Sequence, residues 1–164
     1  MSSGLVAFTL LHVLLSLIGI AAGFVLIFGL LSAKRFNVWA AIFLLATTGT
    51  SISGFLFPFH KFLPSHVLGL LSLIALALAG YAYYPRRLAS GWRTVFVVAS
   101  IFAQYFNVFV LVAQCFQKVP ALHALAPTQS ETPFKVAQGF LLALFVLLAI
   151  LSVRKFARAQ LWTP

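Results

Sequence analysis

Few side chains in this sequence could move protons or hold a metal. They are His12, His60, His66 and His123, one cysteine, Cys115, and one acid, Glu131. A single carboxylate excludes every chemistry that needs two, including the glycosidase pair, the aspartic dyad and the carboxylate metal cage, and a Ser-His-Asp triad cannot be assembled from this chain. Cys115 allows neither an internal disulfide nor a cysteine-based zinc site. No His-Glu-x-x-His, phosphate loop, dinucleotide fingerprint or nucleophile elbow occurs. The histidines keep three chemistries open. Two of them could ligate haem from facing helices, three or four could hold zinc or copper, and one could titrate near neutrality. His60, His66 and His123 fall in or beside loops, where interfacial polar groups are ordinary. His12 lies about two turns inside an apolar run and needs a partner. A bis-imidazole haem b would therefore use His12 and His66.

A second polar set consists of uncharged side chains inside apolar runs. Thr9, His12, Ser16, Gly19 and Gly23 recur in steps of three and four, as do Thr47, Thr50, Ser51 and Gly54. His66, Gly69 and Gly80 follow in a third run, and Gln104, Asn107 and Gln114 in a fourth. Such steps place each set near one helical face. Small residues let membrane helices approach, and hydroxyls and amides bond across the contact. Gln104 and Asn107 ask for more, because two amides near mid-membrane are costly unless satisfied. Counting at about 1.5 Å per residue puts them level with Ser16, Thr47 and Ser51. Thr47, Ser51, Gln104, Asn107 and Gln114 thus form a candidate ligand pocket; an interhelical hydrogen-bond network is the alternative.

The elements that must position these residues are membrane helices. The chain is 63% hydrophobic and 7% charged, where a soluble domain carries about 25% charge. Five apolar runs approach or exceed the roughly 20 residues that a span needs: residues 5–31, 38–59, 66–84, 92–116 and 134–153. Each is expected to be helical, since only a helix satisfies its own backbone in hydrocarbon and the ten-residue alternation of a barrel is missing. Ser65 and Thr132 stand where helix N-caps belong, with Pro133 at the first helical position. Met-Ser-Ser-Gly lacks a basic n-region, so the first run reads as a retained span rather than a signal peptide. The expectation is an all-α membrane bundle of five helices over residues 1–164, four forming a core and the fifth added to it.

Basic residues orient this bundle. Lys34, Arg35, Arg86, Arg87, Arg93, Arg154, Lys155 and Arg158 fall on one side; Lys61, Lys118 and Lys135 fall on the other with Glu131. The positive-inside rule places the N-terminus outside and the C-terminus in the cytoplasm. Trp39, Trp92, Trp162, Tyr81, Tyr83 and Tyr84 then form an aromatic belt at the cytoplasmic ends. The formal charge of +10 is split into short juxtamembrane clusters, which suits anionic headgroups rather than nucleic acid.

An offset of 54 matches His12-Val13-Leu14 with His66-Val67-Leu68, Leu17 with Leu71 and Ile20 with Ile74. An offset of 53 pairs Trp39 with Trp92 and Phe43 with Phe96. A repeat of this kind makes two like-oriented hairpins with His12 and His66 as symmetry mates; shared Leu and Ala content is the competing explanation. The stretches TTGTSISGFLFPFHKFLPSH (Thr47–His66) and NVFVLVAQCFQKVPALHALAPTQSETPF (Asn107–Phe134) resemble segments of small multi-pass inner-membrane proteins of bacteria. That resemblance implies the bacterial inner membrane and carries no assigned activity, so no site residues follow from it. Spans that open with His also resemble membrane b-type cytochromes in architecture, although a second in-span His on each ligand-bearing helix is missing. Two functions stay in view. One is a non-enzymatic protein that either packs as an accessory subunit into a membrane assembly, with another membrane protein or a second copy as partner, or binds a small ligand in an outer-facing polar pocket. The other is a haem b electron-transfer protein.

Overall fold

The computed structural model describes residues 3–57 and 64–157. The expectations for His60, Lys61, Arg158 and Trp162 fall outside these residues. Among the described residues the fold is entirely helical, with no strand. Its helices are α1 (Ser3–Leu31), α2 (Asn37–Gly54), α3 (Pro64–Tyr83), α4 (Trp92–Lys118), α5 (Pro120–Leu125) and α6 (Thr132–Ser152), and a π-helical turn at Val153–Ala157 extends α6.

Helices α1 to α4 close a ring. Helix α1 packs on α2, α2 on α3, α3 on α4 and α4 back on α1, while α6 lies outside this ring against α4 and α1. Four core helices plus an added one is the expected arrangement. The most extensive pairings, α1 with α2 and α3 with α4, are those of two successive hairpins. Helix α1 buries Gly19, Ile20, Gly23, Leu26, Ile27 and Leu30 in steps of three and four, so one stripe faces the ring. Its first half buries nothing. Helix α4 is the hub and buries Phe96, Val97, Ser100, Ala103, Gln104 and Asn107. Phe43, Phe96, Val97 and Leu30, each at most 1% exposed, fill the half of the bundle nearest the 32–36 and 84–91 connections.

Four stretches are long and apolar enough to cross a membrane: Ser3–Leu31, His66–Tyr83, Trp92–Lys118 and Thr132–Ala157. The expected span 38–59 differs. Helix α2 ends at Gly54 and is 18 residues long, about 27 Å at 1.5 Å per residue. Thr47, Thr48, Thr50, Ser51 and Ser53 dilute its second half. The hydroxyls that bring chemistry to α2 are the same ones that lower its apolar character.

Local chemistry shifts the helix ends. Helix α3 begins at Pro64, so Ser65 lies inside it rather than at its cap, in keeping with the preference of proline for the first helical position. Glu131, not Thr132, occupies the N-cap of α6, and its side chain makes no capping bond to the helix. The carboxylate turns back instead, accepting from the Thr128 and Ser130 amides at 3.2 and 3.0 Å and from Thr128 Oγ1 at 2.7 Å. Gln129, at φ 59°, donates from Nε2 to the Ala113 carbonyl at 2.7 Å and so ties this loop to α4. The loop also contains α5, about a turn and a half of helix within the expected connection between residues 116 and 134.

Candidate functional site

The site lies at the end of the ring opposite the 32–36 and 84–91 connections. There α1 contributes His12 and Ser16, α2 contributes Thr50, Ser51 and Gly54, α3 contributes His66, Gly69 and Ser72, and α4 contributes Asn107 and Gln114. Together with Phe55, Phe57, Phe106 and a few aliphatic groups these enclose a cavity of about 320 Å³. Small residues make room for it. A Cβ at Gly69 would stand 3.0 Å from the Phe55 ring, so glycine lets Phe55 lie over α3, where its ring centroid is 5.5 Å from that of His66.

His12 has the partner that its depth requires. Its Nδ1 is 2.8 Å from Ser53 Oγ. Ser53 Oγ donates its own proton to the Thr50 carbonyl at 3.0 Å, so the hydroxyl receives its bond from His12. In the neutral ring this leaves Nε2 as the acceptor. The imidazole stands edge-on to Phe57, centroids 5.1 Å apart. His66 is buried, 6% exposed. Ser51 Oγ and Ser72 Oγ, 3.4 Å apart, join α2 to α3 across the wall.

The five expected pocket residues divide into two layers. Ser51, Asn107 and Gln114 line the cavity, as do both candidate histidines; Thr47 and Gln104 do not. They lie one layer deeper and are fully buried. Asn107 joins the layers, since its Nδ2 donates to Thr47 Oγ1 at 3.2 Å. Gln104 Nε2 donates to the Ile20 carbonyl at 2.8 Å, while its Oε1 is buried without a partner among the described residues. The glycine stripe of α1 receives these side chains. A Cβ at Gly19 would meet Thr47 Oγ1 at 2.8 Å, and one at Gly23 would meet Gln104 Oε1 at 2.1 Å. Pocket and interhelical network are thus both present, stacked along the bundle axis.

Below Gln104 the packed residues around Phe43, Phe96 and Leu30 close the floor. Ser53, the partner of His12, and Ser72 were not singled out from sequence. Both were legible as further steps on the noted faces, three residues beyond Thr50 and Gly69 respectively.

Among the described residues, no carboxylate, ammonium or guanidinium lines the cavity, and no group of three or more His, Cys, Asp or Glu suited to a metal occurs. The walls offer imidazole, hydroxyl and amide groups against phenyl rings, a set that recognises an uncharged guest by hydrogen bonds and ring contacts. The placement of His12 and His66 on one cavity is what a haem would need, but the walls are not. About 320 Å³ is at the small end of the roughly 300–1,000 Å³ that drug-sized ligands occupy, and a porphyrin is larger.

No protein-family model, curated protein or solved structure matches the chain.

Proposed function

We propose that this is an integral inner-membrane protein of five spans, N-terminus outside and C-terminus in the cytoplasm, acting without catalysis as a binding or accessory subunit. Its ligand is a small uncharged molecule with several hydrogen-bonding groups, held in a cavity facing the outer side. The observation that carries this reading is the cavity itself, which sets imidazole, hydroxyl and amide groups among apolar walls, has no charged side chain among its described lining residues, and is closed beneath by apolar packing. The fifth crossing is supported by how α2 is tied at both ends. Tyr83 Oη donates to Asn37 Oδ1 where α2 begins, and His12 bonds Ser53 where it ends. The orientation is supported by Lys34, Arg35, Arg86, Arg87, Arg154 and Lys155 clustering at the end away from the cavity.

Two measurements test the reading. In a Cys115→Ser background, Ser51→Cys should react with a membrane-impermeant maleimide from outside intact cells. Protein extracted from its own membrane should carry a neutral small molecule in native mass spectra, and Asn107→Leu should lose it while remaining folded. An Asn107→Leu protein that stays loaded and melts higher would reduce the amide to an interhelical link. The redox alternative, haem b between His12 and His66, has the two imidazoles on one cavity in its favour and the size of that cavity against it. Protein produced with haem available either shows a Soret band, lost in His12→Ala, or that alternative is dropped.

A further inference from the structure

A second hollow lies on the outside of the ring, between α3 and α4. Ala75 and Ala99, 5% and 8% exposed, form its floor, and the exposed side chains of Leu71, Leu78, Val98 and Phe102 form its rims. Its volume is about 540 Å³, and it follows α3 for about 10 Å from Leu71 to Leu78. One end is built differently from the rest. Tyr81, one step beyond Leu78, meets Trp92 at a centroid distance of 5.1 Å, and Arg86 lies over the Trp92 ring at 5.0 Å. A guanidinium stacked in this way keeps its N–H edge available for a phosphate. Arg87 follows directly, and both arginines are exposed. Glu131, the only acidic side chain of the sequence, stands at the start of α6 at the opposite end of the bundle. No acidic side chain of the sequence therefore stands at the Arg86 and Arg87 end.

We infer that this groove is a binding site for an anionic phospholipid, with one acyl chain lying on the Ala75–Ala99 floor and the phosphate held at Arg86 and Arg87. The groove is apolar along its length and basic at one mouth, which matches the two parts of that molecule and their order. A zwitterionic lipid would fill the floor but leave the two guanidinium charges without net compensation. The site is separate from the polar cavity and does not depend on its function.

Trp92 serves as the reporter. With Trp39→Phe and Trp162→Phe in the full chain, its fluorescence is measured in vesicles containing phosphatidylglycerol or phosphatidylcholine with brominated acyl chains at equal mole fraction. Brominated phosphatidylglycerol should occupy the site at least about fivefold more strongly, the effect expected of even one basic residue at an anionic surface. Arg86→Gln with Arg87→Gln should abolish the preference, and Lys155→Gln, elsewhere on the same end, should retain it. Ala99→Leu or Ala75→Leu fills the groove and should weaken quenching by both lipids while leaving helicity unchanged. Equal quenching by the two lipids overturns the inference, as does a preference that survives loss of both arginines. So does a Trp92 that neither lipid reaches, the result expected if a second copy covers the groove.

Discussion

At the scale of single residues, Gly23 and Gln104 form the most tightly specified pair. A Cβ at Gly23 would fall 2.1 Å from Gln104 Oε1. The obstacle is the end of a flexible side chain, but that side chain is fully buried and held by its bond to the Ile20 carbonyl. Yielding would break that bond in the buried interior. Gly23→Ala is therefore expected to destabilise the protein by about 1–3 kcal/mol, the usual range for overpacking. Gln104→Ala should recover most of the loss, because removing the amide vacates the space and eliminates the buried polar group together. Thermal melts of the two single variants and the double in one detergent measure the coupling, and strictly additive effects would sink the pairing. Sequence alone showed that the amides needed partners and that Gly19 and Gly23 lay on one face. It did not show that each glycine is the socket for a polar side chain of another helix, because that depends on helix rotation, which spacing does not give.

At the scale of elements, helices were legible and their ends less so. Long uncharged runs dictate helices in a bilayer, and α1, α4 and α6 appear close to their expected bounds. Helix α2 stops five residues short of its expected end because the apolar run Phe55-Leu56-Phe57 reads as span but folds over the site, with Phe55 on His66 and Phe57 on His12. The start of α6 depended on a feature no periodicity reveals, the carboxylate of Glu131 folding back on the preceding loop. The Thr128 hydroxyl, followed by backbone amides, holds that carboxyl below the ordinary carboxylate range. A depressed value means that the ionised form is favoured by the fold. Its contribution is present at pH above the ordinary range and fades as pH falls through the depressed value. Hydrogen exchange at Thr128 and Ser130 should thus be slow at neutral pH and, after correction for intrinsic rates, lose protection on acidification. Glu131→Gln should expose both amides at every pH. Unchanged protection in that variant would show that Gln129 holds the loop unaided.

For the whole molecule, the proposed topology separates the basic end from the histidine end. A reporter fused after Pro164 should be cytoplasmic, and single cysteines introduced between Gln117 and Pro133 should label from outside; labelling only from within would invert the bundle and place the cavity on the other face. On the proposed orientation the apolar floor has a consequence for what the site can respond to. The guest enters and leaves by the same mouth, so occupancy follows its concentration on one side of the membrane only, whatever the cytoplasm contains. The proposed uncharged guest, with no charged side chain among the described lining residues, would also move no charge through the transmembrane field. Loading should then be indifferent to membrane voltage, which acts at about 2.3 kcal/mol per elementary charge per 100 mV. On the proposed reading such a bundle would behave as a one-sided gauge, read from outside and electrically silent.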